Sequence, residues 1–168
     1  MKYLYKFDSS SVKSISIGSH DDIDLKVFTP SLRKLAIKGE NVGGWKTLLV
    51  RLLFQILTFG KTKIYYVQDG NQILHTSYVI PACSKFPFLK KNDLEIGPCY
   101  TYPEFRGKGI YPKVLTKICQ KRGGDSISFY MIVDENNLSS IKGIEKAGFV
   151  RCGSVYISKF ARRYRLVR

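Results

Sequence analysis

Residues 103–115, PEFRGKGIYPKVL, put two glycines, an arginine and two lysines between a strand-like segment and a helical one. The first amides of a helix have no partner within it, and its dipole adds partial positive charge there. Gly107 and Gly109 let the backbone curl so that several N–H groups face one point. Arg106 and Lys108 bring formal charge to the same place. Such a turn suits a phosphate or pyrophosphate. It lacks the G-x-x-x-x-G-K-[ST] spacing of a nucleotide P-loop, and Pro112 breaks a G-x-G-x-x-G dinucleotide pattern.

Working outward from the turn, Val114, Leu115, Ile118 and Cys119 carry helical spacing over about 110–122, with Pro112 in the first turn and a stop at Gly123-Gly124. DLEIGPCYTY before the turn reads as a strand. SISFYMIV after it is nearly continuously apolar, as in a sheet covered on both faces. NNLSSIKGIEKAGF reads as a short helix ending at Gly148, and SVYISKF with the residues after it as the last strands. Upstream, KIYYVQ and QILHTSYVI form a hairpin around Asp69-Gly70-Asn71. Trp45, Leu48, Leu49, Leu52, Leu53, Ile56 and Leu57 repeat at three- and four-residue steps, which predicts a helix from Trp45 to Phe59 with these residues on one face. That face reads as core. Val50 and Phe54 make it wider than one sheet needs, so a share of it is available to a partner subunit, a lipid or an apolar substrate. The first forty residues show only weak alternation, in SVKSISI and DIDLKVF, and a turn at Thr29-Pro30.

The chain has 168 residues, 44% of them apolar and 13% aromatic, which suits one α/β domain and excludes a disordered chain. Its net charge of +15 is spread along the whole length, pointing to an anionic ligand or membrane surface and not to a nucleic-acid arm. The densest cluster is the C-terminal SKFARRYRLVR. Cys83, Cys99, Cys119 and Cys152 form no C-x-x-C pair, and with His20 and His75 the only histidines, zinc-ligand spacing is absent. These cysteines read as buried thiols in a reducing compartment. No signal-peptide core and no run of about 18 apolar residues occurs, so the expectation is a cytoplasmic protein without a transmembrane segment.

Two motifs then resemble the GNAT (Gcn5-related N-acetyltransferase) superfamily. Its first signature, [QR]-x-x-G-x-[GA] between strand and helix, is matched by Arg106 and Gly109, with Tyr111 at the usual Gly/Ala position. The second is an Asn at a strand–helix junction, a small residue three later, and E-K-x-G-F. Asn137, Ser140, Glu145, Lys146, Gly148 and Phe149 match it. The resemblance covers about residues 94–153; more narrowly, RGKGIYPKVL with IEKAGF is similar to members found beside bacterial surface-sugar genes.

The resemblance implies an α/β (α+β) fold: a mostly antiparallel central sheet with helices on both faces and a splayed strand pair at the cofactor site. It implies acetyl-CoA as cosubstrate, with the pyrophosphate on the amides of Arg106, Gly107, Lys108, Gly109, Ile110 and Tyr111. The pantetheine would bind the backbone of Cys99 and Thr101, with Asn137 hydrogen-bonded to it and Ser140 close by. Glu95 stands where many relatives carry the carboxylate that draws a proton from the acceptor amine, and a buried carboxylate has the raised pKa that suits this task. The usual general acid, a tyrosine seven residues after the asparagine, is Ile144 here; Tyr111 and Tyr156 are alternatives, and a thiol leaves readily without full protonation. His75 is a second candidate base, with a structural role as its other reading.

The implied activity is acetyl transfer to a small-molecule amine such as an amino sugar. The alternative is a GNAT-shaped binding module that has lost catalysis, associating through the 45–59 helix. A basic C-terminal strand carrying Phe160, Tyr164 and Leu166 offers nonspecific nucleic-acid contact at most. Homodimerisation and peripheral membrane contact are left open.

Overall fold

In the computed structural model the described residues are 1–8, 23–40, 44–124, 127–158 and 162–167. They build one eight-stranded sheet in the order β2-β3-β4-β5-β6-β1-β7-β8. The strands are β1 (Lys2–Asp8), β2 (Leu25–Phe28), β3 (Lys63–Asp69), β4 (Gln72–Pro81), β5 (Leu94–Thr101), β6 (Ser128–Asp134), β7 (Val150–Ile157) and β8 (Tyr164–Leu166). The helices are α1 (Trp45–Leu57), α2 (Ile110–Arg122) and α3 (Leu138–Lys146). Every neighbouring pair is antiparallel except β5 and β6.

β1 lies in the middle of the sheet, between β6 and β7 and antiparallel to both. In sequence it reads only as KYLYKFD; Tyr5 and Phe7 alternate into the core under α2 and α3, Leu4 is buried on the opposite face, and the lysines reach the solvent margin. The hairpin at Gly70-Asn71 and the strand–helix–strand–helix–strand order after Leu94 match the sequence reading. SVKSISI, His20 and Phe160 lie outside the described residues.

The β5–β6 pair positions the site. Its ladder holds only Leu94↔Phe129 and Glu95↔Tyr130, after which the strands diverge. From Ile96 onward β5 keeps β4 on one side and leaves its other backbone edge open. This is the splayed pair that the resemblance implies.

Helices cover both faces. On one, α2 and α3 bury Val114, Leu115, Ile118, Ile144 and Ala147 against Phe7, Phe129 and Met131. Side chains of this size contribute roughly 1.5–3 kcal/mol each on burial. Gly143 allows the two helices to meet: a Cβ there would stand 2.5 Å from Cδ1 of Tyr111. On the other face α1 packs Phe54 with Ile64, Tyr78 and Ile80.

The orientation of α1 corrects the sequence reading. Its buried residues are Arg51, Phe54 and Gln55, whereas Trp45, Leu49, Val50, Leu53 and Ile56 are exposed. The reason is a polar network under the helix. The Arg51 guanidinium ion-pairs with Glu40 and donates to Tyr78 Oη (2.6 Å) and to the Leu35 carbonyl (2.8 Å). Gln55 Nε2 donates to the carbonyls of Pro30 (2.8 Å) and Thr62 (3.0 Å). Burying a charge without such partners is prohibitive, but here the partners exist, and they hold the polar side of α1 inward. No described helix is long and apolar enough to cross a membrane.

Candidate functional site

The turn quoted at the outset is a single 3-10 turn, Pro103–Phe105, followed by a glycine-capped start of α2. Gly107 and Gly109 have φ of 76° and 71°. Both lie in the left-handed region, which costs an L side chain about 1–2 kcal/mol. Gly109 is the N-cap of α2 and has no side chain to satisfy the helix amides. The first i→i−4 bond of the helix is a long one, Lys113 N to Gly109 O at 3.4 Å. The amides before it point off the helix end, as any helix start requires. Arg106 differs from the sequence expectation in one detail. Its amide donates to Pro103 O (3.2 Å) and its Nε to Thr101 O (3.0 Å), so the run of amides that could cradle an anion begins at Gly107.

A groove of about 740 Å³ opens above this cradle. Its lining brings together Cys99, Thr101, Arg106, Gly107, Gly109, Ile110, Tyr111, Asn137 and Ser140, residues from three separate sequence segments. Lys108 is exposed beside it, its Nζ 5.2 Å from the centre of the Phe105 ring. Asn137 caps α3: its Oδ1 accepts from Ser140 N (3.2 Å) and from Ser139 Oγ (3.1 Å). Glu145, the acid of the second motif, is structural, accepting a 2.8 Å bond from Tyr5 Oη. Ile144, where the family's tyrosine would stand, is fully buried in the core.

Sequence reasoning missed Lys142, Gly143 and Tyr100 in this lining. Lys142 was legible in principle, three residues after Ser139 on one helix face. Tyr100 was not, because its place depends on how β5 leaves the sheet.

Inside the groove, polar side chains form a connected row. His75 shares hydrogen bonds with Thr101 Oγ1 (2.7 Å) and Ser77 Oγ (2.7 Å), and Ser77 and Tyr111 both bond the Cys99 thiol. Burial pushes His75 down to about 4, so the imidazole is neutral, donating from one nitrogen and accepting at the other. That makes His75 a structural link and removes it as a base at neutral pH. Burial pushes Cys99 up to about 12, leaving a thiol and no nucleophile, and raises Tyr111 beyond the ordinary phenol range. Tyr156, the other candidate acid, is exposed on β7 and does not line the groove.

Glu95 is buried, pairing with Ile80 on β4 and Tyr130 on β6 at the point where the strands split. Its Oε2 has no hydrogen-bond partner. Burial raises it to about 8, opposed by the nearby Lys85 ammonium. Lys85 is itself held among the rings of Phe54, Phe86 and Tyr164, its Nζ 4.6–5.8 Å from their centres. The Tyr164 ring stacks on Phe86 at 5.5 Å, so it is engaged within the fold.

On the α1 side a second cleft, of about 490 Å³, is bordered by Thr47, Arg51, Tyr78, Tyr102 and Glu104. Tyr100 lines both clefts. The end of β5 thus separates two openings on opposite faces of the sheet.

No family model matches the chain, and no curated protein matches it in sequence. Solved structures do match. A GNAT-family acetyltransferase from Colwellia psychrerythraea superposes with a TM-score of 0.63 at 16% identity, covering 90% of this chain and 52% of its own; the chain spans about half that protein's length. A functionally unknown conserved protein from Staphylococcus epidermidis gives 0.59 at 13% identity, with 90% and 57% covered. The aminoglycoside acetyltransferase AAC(6')-Ib, solved with coenzyme A and kanamycin, gives 0.56 at 15% identity, with 81% and 89% covered. These likenesses show the fold: the chain has the architecture of GNAT acetyltransferases.

Proposed function

We propose that this GNAT-fold chain is an acetyl-CoA-dependent N-acetyltransferase acting on a small-molecule amine. The observation that carries the reading is that Arg106, Gly107, Gly109, Ile110, Tyr111 and Lys142 line one groove at the start of α2, beside the open edge of β5. Its dimensions and charge fit a pantetheine diphosphate: a cationic, amide-rich end for the diphosphate and an unpaired strand edge for the peptide-like arm. The CoA-bound state of AAC(6')-Ib supports the same ligand class.

Bound acetyl-CoA supplies a thioester carbonyl carbon for the amine to attack. The acceptor enters from the α1 side, where Tyr78, Tyr100, Tyr102 and Glu104 offer rings, hydroxyls and one carboxylate to a protonated, hydroxyl-bearing amine such as an amino sugar. Glu95 borders neither cleft, so in this reading the amine proton reaches it through an intervening water. A carboxyl near 8 is mostly protonated at pH 7 and becomes available as a base as pH rises toward 8, where it holds the proton it gains. Tyr111, raised by burial, holds its proton and would be available as a hydrogen-bond donor to a thiolate leaving within the groove it lines. Ile144 leaves no acid at the position the resemblance assigns to one.

Calorimetric titration with acetyl-CoA tests the reading. Wild type should bind with micromolar affinity, and Gly109→Trp, whose indole would fill the cradle from a left-handed position, should lose binding at least a hundredfold while keeping its circular dichroism. Absence of heat with folded wild type at high micromolar ligand overturns the assignment.

A further inference from the structure

The outward side of α1 has no function in this scheme. At 100° per residue, Trp45, Leu49, Leu53 and Ile56 project within an arc of about 80°, opposite the buried Arg51, Phe54 and Gln55. All four are more than half exposed, and Phe59, just past the helix, is 91% exposed. The stripe extends along the roughly 20 Å helix and beyond its end. The turn at 31–34 is tied to the same helix through the bonds of Gln55 to Pro30 O and Arg51 to Leu35 O. That turn raises Leu32, 82% exposed, just ahead of Arg33 and Lys34.

Charge identifies what covers this face. Residues 41–68 contain Lys46, Lys61 and Lys63, besides the buried Arg51, and not one acidic residue. Glu40, the acid bonded to the helix, is buried and neutralised by Arg51. The surroundings of the stripe are therefore cationic, on a chain of net charge +15. Two copies meeting through this face would bring like charges together at its rim. An anionic lipid surface accepts both features at once: apolar side chains enter the acyl boundary while lysines and arginines stay at the phosphates, with aromatic residues at the two ends of the stripe. We infer that α1 and the Leu32 turn form a peripheral docking surface for anionic membranes. This holds whether or not the catalytic reading is correct.

Trp45 is the sole tryptophan of the chain and sits on the stripe, so the wild-type protein carries its own reporter. Full-length protein should float with phosphatidylglycerol-containing vesicles and not with pure phosphatidylcholine, and its emission should shift to the blue on binding. Leu53→Asp with Ile56→Asp, both at exposed positions, should lower the bound fraction at least tenfold, as should Lys46→Glu with Lys61→Glu. If the first pair proves unfolded by circular dichroism, the lysine pair and the wild-type emission decide. The inference is overturned if wild type ignores phosphatidylglycerol vesicles, or if the folded aspartate variant floats as well as wild type. It is equally overturned if wild type sediments as a dimer that the aspartate variant dissociates, which would give the face to a second copy.

Discussion

Glu95→Gln should make the protein more stable and less active, and the pH dependence of the first effect carries the test. In the native state the carboxyl titrates near 8, against 4.5 for an unperturbed carboxyl. Its neutral form is thus the one the fold favours. Between those values the native chain holds a proton that the unfolded chain releases, so this group's contribution is intact below 4.5 and is lost as pH rises through 8. Each unit is worth about 1.36 kcal/mol, which gives a cost of about 3 kcal/mol at pH 7 and about 5 kcal/mol above pH 8. Glutamine keeps the shape and never ionises. Urea unfolding of both proteins at pH 5, 6, 7 and 8 should show a gap in favour of Glu95→Gln that is under about 1 kcal/mol at pH 5 and grows with every unit. At pH 7 it corresponds to a melting temperature higher by roughly 6–12 °C. Acetyl transfer to an accepted amine should fall by about 10²–10⁴, the usual contribution of a general base. A gap that does not change between pH 5 and pH 8 would refute the physical argument, because it would mean that the carboxyl is solvated as in the unfolded chain. A carboxyl that weakens the fold at working pH is what a stability–activity trade-off predicts for a functional group.

Two further substitutions address the supports of the site. Arg51→Met leaves Glu40 buried without its partner and removes donors to Tyr78 and Leu35, so chemical denaturation should report a loss of about 3–5 kcal/mol. Recovery of part of that loss in Arg51→Met with Glu40→Gln would identify the stranded charge as the cause, and a single-variant loss below 1 kcal/mol would contradict it. His75, held neutral with a pKa near 4 against 6.5 unfolded, contributes stability that is present above 6.5 and lost as pH falls toward 4. The stability difference between wild type and His75→Gln should therefore shrink by about 2 kcal/mol from pH 7 to pH 5, and a constant difference would show that the ring is free to protonate.

What the sequence determined by itself is local. The glycine-rich start of α2, the α3 motif, the hairpin at Gly70-Asn71 and the apolar β6 are all written in short-range pattern, since turns, caps and helix starts depend on neighbours a few residues away. Paired motifs in the right order were enough to indicate the architecture and most of the residues that line the groove at the start of α2. Three matters needed the tertiary structure. β1 gains its central place from pairing with β6 and β7, more than 120 residues away, and KYLYKFD does not announce it. The divergence of β5 from β6 after Glu95, which leaves that carboxyl buried with an unpartnered oxygen, is set by ladders and not by composition. And α1 is inverted relative to its own hydrophobicity, because Arg51 and Gln55 find buried partners in Glu40, Tyr78 and the carbonyls of Pro30, Leu35 and Thr62. Periodicity locates an apolar stripe but not which way it faces, and a buried polar network was sufficient here to turn it toward the outside.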